Sequence, residues 1–452
     1  MITKPPSKNV VNPFQQIAEN APSKLDAYLE LFSPIDSKGR YLHFDELKYR
    51  LPKDLDSTIA WSIVKMARTR QFQTMFRIGE PKVSCKFYLS PSIQKAISET
   101  DRNTTSASLD WMCSKIGEEK HLEYLLNDLI EDEAISSSQL EGAATTTKVA
   151  KDLLKRQRRP RSPDEKMIVG NFKMMKFAWE NRHKDLSVDL ILELHQIGVD
   201  NIDNDNYTPG VFRKTDDVEV VDSEGNTVHV PPTATGLTKR IKELSKWVNI
   251  CHHDIDNKNY LHPLVKAIAL HFAIGYEHPF RDGNGRVARA LFYWYMFKND
   301  FAAFRYIAIS VLLKSAPVKY GKSYLYTETD KMDLTYFLDY QCGIIIKAIN
   351  QFKGSYKQTL EETEKFNKWL WESGLYKKLN DKQQTVFQVA RSGVAHSFTA
   401  TNVKENLGCA YNTASTVLNG LVELKLFTKQ KQGREWVYSM RSQKKILEAW
   451  KN

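Results

Sequence analysis

Apolar residues recur at spacings of three and four positions through most of the chain, which is the spacing of amphipathic helices. The pattern predicts helices in the stretches HLEYLLNDLIEDEAISSSQLEG (121–142), EKMIVGNFKMMKFAWENR (165–182), SVDLILELHQIGVDNI (187–202), PLVKAIALHFAIGYEHPF (263–280) and RVARALFYWYMFKND (286–300). The last two are apolar over most of their surface, so we expect them to be buried central helices. The predicted fold class is mainly α.

Alternation of apolar and polar residues predicts β-hairpins at two places. The first is DVEVVDSEGNTVHVPP (217–232), with strands on either side of a Glu-Gly-Asn turn. The second is LFTKQKQGREWVYSM (426–440), which has a Gly-Arg turn and follows three short predicted helices. Three helices followed by a two-stranded wing predict a winged helix-turn-helix at the C-terminal part of the chain.

These patterns divide the chain into four predicted domains or segments. Residues 1–118 are mostly helical after a polar, Pro-rich tail, and a helix is predicted over 57–76. Residues 119–350 form a helical core, and 351–380 form an amphipathic connector helix. Residues 381–452 form the winged helix-turn-helix.

Composition favours a globular protein of several domains, with 452 residues, 42% hydrophobic residues and a formal net charge of +11. The cysteines are odd in number and form no CxxC pair, which argues against a disulfide framework or a zinc site. They are Cys85, Cys113, Cys251, Cys342 and Cys409. The N-terminal stretch has no hydrophobic signal core, and no apolar stretch reaches the ~18 residues that a membrane span needs. We therefore expect a cytoplasmic protein that does not bind membranes.

Candidate chemistry is concentrated in EHPFRDGNGRVARA, between the two central helices. Gly283, Asn284 and Gly285 allow successive backbone N–H groups to turn inward and form an anion-binding nest. A helix that begins near Arg286 would direct its unpaired N–H groups and its dipole at the same place. The sequence thus predicts an anion site of the size of a diphosphate.

Charged and titratable side chains surround this predicted anion site. Asp282 offers a hard oxygen ligand of the kind that binds Mg²⁺. Arg286 and Arg289 are three residues apart, so both project from the start of the helix toward the phosphates. His278 precedes Asp282 by four residues, and a neutral imidazole there can accept a proton from a hydroxyl.

The stretch HPFRDGNGRVAR resembles the HxFx(D/E)GNGRxxR signature of the Fic family, and every defined position is filled. The resemblance implies the Fic helical core and transfer of AMP from ATP to a Ser, Thr or Tyr hydroxyl of a protein. It makes His278 the general base and Asp282 the ligand of Mg²⁺ (or Mn²⁺) that bridges the α- and β-phosphates. Phe280 would be a buried anchor of the loop.

The same resemblance assigns the phosphate contacts. Asn284 and the amides around Gly283 and Gly285 would bind the α- and β-phosphates, Arg286 would support the phosphates, and Arg289 would meet the γ-phosphate. Relatives that phosphorylate have lysine in place of the second glycine, and Gly285 argues against that activity. A reversed nucleotide pose, as in the phosphocholine-transferring relatives, stays open.

The stretch SSSQLEG resembles the (S/T)xxxE(G/N) inhibitory helix of the family, here within about residues 122–142. Ser137 and Glu141 lie on one helix face because they are four residues apart, and Gly142 is expected to end the helix. A glutamate that reaches Arg289 would form a charge-assisted pair and occupy the γ-phosphate position. ATP would then bind only in an unproductive pose.

Two further stretches resemble parts of the Fic cleft. The hairpin flap spans about residues 210–232, and Gly210 and Arg213 lie at its entry. An exposed flap edge can pair with a target segment by β-augmentation. Tyr320 and Tyr324, in VKYGKSYLYTETDKMDLTYF, are candidates for contact with adenine.

The C-terminal part leaves two interpretations open. Residues 381–452 contain 11 Lys and Arg residues against five Asp and Glu residues, a net charge of +6. The wing is basic enough for phosphate contact, but the recognition helix has no Arg or Lys in its first two turns, and base recognition usually relies on such groups. The module would bind DNA, or it would make protein contacts such as a homodimer.

Alternatives to an autoinhibited adenylyltransferase are a DNA-binding regulator whose Fic core senses a nucleotide, and an enzyme in which Glu141 assists removal of AMP. The sequence does not name the target protein.

Overall fold

The computed structural model describes residues 2–116, 131–155, 158–200, 202, 208–221, 225, 227–252, 260–391, 395, 397–432 and 435–450. The chain divides into two compact units, Met1–Thr105 with Leu129–Ile349, and Ser106–Asp128 with Asn350–Asn452. Helices dominate both units, which confirms the predicted fold class. Among the helices within these ranges, none is both long enough and apolar enough to cross a bilayer.

The N-terminal part of the first unit packs short helices beside one antiparallel hairpin. Its helices are Pro13–Asn20, Leu25–Leu29, Phe44–Leu47, Ser57–Thr69 and Pro91–Asn103, with a 3-10 turn at Pro22–Lys24. Strands Gln73–Ile78 and Val83–Phe87 form the hairpin. The helix predicted over 57–76 therefore ends at Thr69, and the rest of that prediction is wrong.

The centre of the first unit is a pair of buried helices, as predicted. The helices of this part are residues 131–140, Thr147–Lys155, Pro163–Glu180, Val188–Val199, Leu237–Asn249, Pro263–Glu277, Asn284–Lys298, Ile309–Ser315, Pro317–Thr329 and the first half of Thr335–Glu372, with a 3-10 turn at Ala302–Tyr306. In Pro263–Glu277 and Asn284–Lys298, nearly every residue is buried. This burial fits two helices that are apolar on most faces.

The loop between the central helices is fixed by residues with left-handed backbone at both ends. Helix Pro263–Glu277 begins at a proline, and the His262 side chain accepts the Leu264 N–H. It ends at His278, with φ 47° and ψ 59°. The next helix begins after Gly283, with φ 82°, a conformation that glycine adopts at little cost. The six residues 278–283 thus form a tight connection.

The second unit includes helix Ser106–Ile116 and the second half of Thr335–Glu372. Its remaining elements are helices Leu375–Lys378, Asp381–Arg391, Ala400–Leu407, Tyr411–Glu423 and Gln443–Trp450, and strands Phe427–Gln432 and Glu435–Met440. The order of three helices and then an antiparallel hairpin agrees with the sequence prediction. The predicted turn residues Gly433 and Arg434 lie outside the described residues. The final helix was not predicted.

Candidate active site

His278 is held at the end of a central helix in a form that can accept a proton. The backbone N–H of His278 donates to the Ile274 carbonyl at 3.0 Å. The ring Nδ1 of His278 lies 3.2 Å from the Gly275 carbonyl oxygen. A carbonyl only accepts, so the ring proton belongs on Nδ1, and Nε2 carries the lone pair. Burial lowers the pKa of His278 to about 4. The ring is therefore neutral at pH 7.

The loop after His278 is held by Asn284. The Phe280 N–H donates to Asn284 Oδ1 at 2.8 Å, and Asn284 Nδ2 donates to the Phe280 carbonyl at 2.9 Å. Both side-chain groups of Asn284 are thus used inside the loop. Its backbone N–H lies in the first turn of the helix, where the N–H groups have no partner within the helix. Phe280 is fully buried, as predicted for an anchor.

His195 supports the same loop and was not identified from the sequence. Its ring stacks on Phe280 with centroids 3.7 Å apart and an interplanar angle of 6°. Its Nδ1 accepts the Gly210 N–H at 3.1 Å, so Nε2 carries the proton and donates to the Asp282 carbonyl at 3.0 Å. Burial lowers the pKa of His195 to about 4. This neutral histidine joins the hairpin entry to the loop.

Gly283, with φ 82°, directly precedes helix Asn284–Lys298, and the anion site predicted around it stays a prediction. Helix Asn284–Lys298 is 15 residues long, and the first N–H groups of any helix have no partner within it. Asp282 is half-buried at this helix start, and its Oδ1 accepts the Gly283 N–H. The described residues contain no group of three or more His, Cys, Asp and Glu side chains that could hold a metal.

Asp282 therefore fits a metal that is held mostly by other ligands. Mg²⁺ in nucleotide sites keeps several waters and binds through one or two carboxylates and the phosphates of the substrate. One half-buried carboxylate beside a helix N-terminus meets that requirement. A metal that needs several protein ligands does not fit these residues.

Arg286 and Arg289, both buried, point to different partners. Arg286 Nη1 donates to the Gly198 carbonyl at 2.9 Å, at the end of helix Val188–Val199. This bond ties that helix to the start of helix Asn284–Lys298. Arg286 accordingly has a structural role beside any contact with phosphate.

Arg289 is held by the helix that carries SSSQLEG. Its Nε donates to Ser137 Oγ at 2.8 Å, and Nη2 donates to the Ser137 carbonyl at 3.0 Å. Nη2 also donates to Glu141 Oε1 at 2.8 Å. Gly142, with φ 99°, follows the helix. The structure thus brings together the predicted inhibitory residues and the second arginine of the signature. The part of this predicted helix before residue 131 lies outside the described residues.

Gly285 is adjacent to this ion pair. A Cβ atom at this position would lie 2.2 Å from Glu141 Oε1 and 3.0 Å from Arg289 Nη1. Any side chain at 285 would therefore occupy the space between the nest and the ion pair. The absence of a side chain leaves room for the Glu141 carboxylate beside Arg289.

The hairpin that was predicted as the flap has strands Val220–Val221 and Thr227–His229, and most of its turn lies outside the described residues. Arg213 is buried at its base. Arg213 Nε donates to the His278 carbonyl at 2.9 Å, and its Nη atoms donate to the Thr215 and Pro232 carbonyls. The side chain thus holds both ends of the hairpin against the His278 loop. Gly210, with φ 68°, donates to His195.

A cleft of about 320 Å³ opens between the hairpin and helix Pro317–Thr329. Its lining residues include Glu141, Val221, His278, Gly285, Arg289, Tyr320 and Tyr324. Tyr324 lies against Gly275, where a Cβ atom would be 2.4 Å from the tyrosine hydroxyl. His271 Nε2 lies 2.8 Å from the Tyr320 hydroxyl. Both tyrosines therefore line the same cleft as His278, and their contact with adenine stays a prediction.

His229 of the hairpin is a second residue that the sequence did not single out. Its Nδ1 lies 2.9 Å from Glu328 Oε2, and its Nε2 lies 2.8 Å from the Tyr276 carbonyl. Both partners are acceptors, so both ring nitrogens donate when His229 is protonated. Burial, the largest single effect, opposes that charge, but the hydrogen bond and charge of Glu328 together with the bond to the Tyr276 carbonyl raise the pKa of His229. The hairpin is thereby fastened to the opposite wall of the cleft.

Residues 185–296 match the family model described as the Fic/DOC family. These residues form a Fic domain.

Two relatives match about a quarter of the chain. A protein adenylyltransferase Fic from Drosophila grimshawi is 32% identical over 126 residues, which are 27% of this chain and 23% of that protein. One from Nematostella vectensis is 31% identical over 110 residues, 24% of this chain and 22% of that protein. The chain thus spans less than a quarter of the length of these relatives. A Fic family protein from Desulfovibrio desulfuricans G20 aligns with a TM-score of 0.49 and 16% identity, over 78% of this chain and 97% of that structure.

The matched Fic region contains the signature loop and the hairpin, but not the whole cleft. Ser137, Glu141, Tyr320 and Tyr324 lie outside residues 185–296. They are connected to the Fic domain by contacts: Ser137 and Glu141 bind Arg289. Tyr320 bonds to His271, and Tyr324 packs on Gly275.

Proposed function

We propose that this protein is an autoinhibited adenylyltransferase, which transfers AMP from ATP to a Ser, Thr or Tyr hydroxyl of a protein, itself included. The observation that carries this proposal is the position of neutral His278 in one cleft with the Glu141–Arg289 ion pair. The cleft would then contain a general base, His278, an anion-binding group, Arg289, and a carboxylate that can be displaced, Glu141.

His278 would remove the proton of the target hydroxyl. Its Nε2 takes that proton as the hydroxyl oxygen attacks the α-phosphorus of ATP. The bond between the α-phosphorus and the bridging oxygen breaks, and pyrophosphate leaves with that oxygen. The lowered pKa keeps Nε2 available for this step at neutral pH. The Nδ1–H bond to Gly275 fixes the ring during the transfer.

The start of helix Asn284–Lys298 would bind the α- and β-phosphates through its unpaired N–H groups. Arg289 would meet the γ-phosphate. Asp282 would hold Mg²⁺ or Mn²⁺ with the phosphates, and the ion would neutralise charge on the pyrophosphate leaving group. Tyr320 and Tyr324 would border the base, in accordance with their place in the cleft.

Glu141 would inhibit the enzyme by two effects that act at the same place. Its carboxylate neutralises Arg289, and its volume excludes the γ-phosphate from that guanidinium. Hydrogen bonds to charged groups contribute ~1.5–3 kcal/mol, so loss of the pair would raise the productive population roughly ten- to a hundredfold.

Labelled ATP tests this proposal. With the Glu141→Gly variant, label on the α-phosphate should be incorporated into protein, and label on the γ-phosphate should not. His278→Ala in the same background is the matched control and should incorporate neither. Transfer of the γ-label would identify a kinase and overturn the proposal.

A second candidate function is removal of AMP from a modified protein. Glu141 is partly exposed, with 23% of its side chain accessible, and lines the same cleft as His278. A carboxylate in that position would orient a water molecule toward the phosphodiester. An AMP-modified target incubated with wild type and with Glu141→Gln would test this, because only wild type should release AMP.

DNA binding by the C-terminal unit is a separate proposal. The first residues of helix Tyr411–Glu423 are polar and exposed. The strand Phe427–Gln432 includes Lys429 and Lys431. A gel-shift titration with mixed-sequence duplex DNA at low and at physiological salt would test it. No shift at low salt would leave protein contacts as the role of this unit.

A further inference from the structure

Helix 131–140, which contains Ser137 and directly precedes Glu141, has a second acidic residue. Glu133 precedes Glu141 by eight residues, about two helical turns. Glu133 is buried, with 3% of its surface exposed. Its neighbour Asp132 is partly exposed and pairs with Lys151 at 2.9 Å. The two carboxylates therefore face different surroundings.

Glu133 accepts two hydrogen bonds from one residue. The Ser310 N–H donates to Glu133 Oε2 at 2.8 Å, and the Ser310 hydroxyl donates to Oε1 at 2.6 Å. Ser310 is itself fully buried. A buried carboxylate needs such partners, and removal of the carboxylate leaves a buried donor unsatisfied. Burial raises the pKa of Glu133, against the effect of the Ser310 bonds.

Ser310 belongs to helix Ile309–Ser315, which directly precedes the cleft-wall helix Pro317–Thr329. A second bond joins the same two elements, because Lys314 Nζ donates to Gln139 Oε1 at 2.6 Å. That bond is exposed, whereas the Glu133–Ser310 bonds are buried. Exposed polar pairs contribute little to stability. The buried contact is therefore the stronger attachment of the two.

We propose that Glu133 is a positioning residue for inhibition: its bonds to Ser310 dock the helix 131–140 so that Glu141 remains on Arg289. The inference rests on the proposed autoinhibited transfer of AMP. The charge of Glu133 favours the Arg289 guanidinium, but its hydrogen bonds to Ser310 are what act on the place of Glu141. Loosening of this end of the helix should release Arg289 even with Glu141 intact.

A double-mutant cycle tests the inference, with α-labelled AMP incorporation by the full chain as the readout. Glu133→Ala should raise incorporation roughly tenfold over wild type, since it removes two buried hydrogen bonds to a charged group. In the Glu141→Gly background, Glu133→Ala should add no further gain. Ser310→Ala removes one of the bonds and should give a smaller rise. Asp132→Ala is the matched control and should leave incorporation near that of wild type.

The outcomes separate this inference from the function on which it rests. If Glu141→Gly incorporates no more AMP than wild type, the proposed autoinhibition fails. If Glu141→Gly is activated but folded Glu133→Ala is not, or if Glu133→Ala lowers activity equally in both backgrounds, the anchoring role is overturned. Should Glu133→Ala fail to fold, Ser310→Ala decides: no rise over wild type overturns the inference.

Discussion

Glu141 Oε1 accepts a hydrogen bond of 2.8 Å from Nη2 of Arg289, a residue with only 1% of its surface exposed. The ion pair is therefore withdrawn from water on the arginine side. Both residues also line the cleft that contains His278. A nucleotide whose γ-phosphate requires Arg289 has to displace Glu141 first.

Replacement of His278 by alanine should abolish AMP transfer and leave ATP binding nearly intact, because in the proposed reaction the ring acts on the target hydroxyl while the helix start holds the phosphates. Loss of a general base costs ~10²–10⁴ in rate. In the Glu141→Gly background, single-turnover kinetics measure the loss of AMP transfer, and an ATP titration measures the retained ATP binding. Retention of the full rate would contradict the assignment of the base.

The pH dependence follows from the lowered pKa of His278. With a pKa of about 4, the ring stays neutral down to pH 5.5, so kcat/KM of Glu141→Gly should be nearly constant from pH 8 to 5.5. An ordinary histidine, with a pKa of about 6.5, would be neutral in only about one tenth of molecules at pH 5.5. A tenfold fall over this range would show that the base is not the buried, depressed histidine described above.

The free energy of unfolding should decrease in acid, because burial also lowers the pKa of His195, which stacks on Phe280 of the His278 loop. The pKa of His195 is about 4 in the fold and about 6.5 in an unfolded chain. Between these values the unfolded state binds more protons, so the free energy of unfolding decreases as pH falls from 6.5 toward 4. His195→Gln should weaken this dependence in calorimetric Tm measurements at pH 7 and pH 5. If the difference in Tm between pH 7 and pH 5 is the same in His195→Gln and wild type, His195 is not the source of this pH dependence.

The sequence was most informative where contacts are local. The signature loop is held by Phe280 and Asn284, four residues apart, so a short motif contains both partners. The central helices were also predictable, because residues apolar on all faces can only be buried. The contact of Glu141 with Arg289 could be predicted because SSSQLEG occurs beside a complete signature that contains Arg289.

Residues whose partners are far along the chain could not be predicted. His195 meets Asp282 across 87 residues, and Glu133 meets Ser310 across 177. A single histidine or glutamate on a helix gives no local sign of such a contact. The strand Gln73–Ile78 was missed because its pairing with Val83–Phe87 determines its conformation.

Asp282→Ala should weaken productive Mg·ATP binding and transfer together, because it removes the carboxylate at the helix start. The expected result is a raised concentration of Mg²⁺ for half-maximal AMP incorporation, measured at fixed ATP in the Glu141→Gly background. Full activity at limiting Mg²⁺ would show that Asp282 is not the metal ligand.

Gly285→Ala should not activate the enzyme, although its Cβ would displace Glu141. The same methyl group would lie 3.0 Å from Arg289 Nη1, in the space proposed for the γ-phosphate. In the Glu141→Gly background, it should raise the KM for ATP and lower incorporation. Gly343→Ala is the matched control, because a Cβ there meets no atom within 4 Å. Equal kinetics for the two variants would contradict this placement of the γ-phosphate.

The central claim is that Glu141 inhibits through Arg289, and AMP incorporation by four folded proteins tests it most directly. These are wild type, Glu141→Gly, Arg289→Ala and the double variant. Glu141→Gly should exceed wild type roughly ten- to a hundredfold. Arg289→Ala should show no gain, and the double variant should be far weaker than Glu141→Gly, because the γ-phosphate contact is lost. Equal incorporation by wild type and Glu141→Gly would contradict the account.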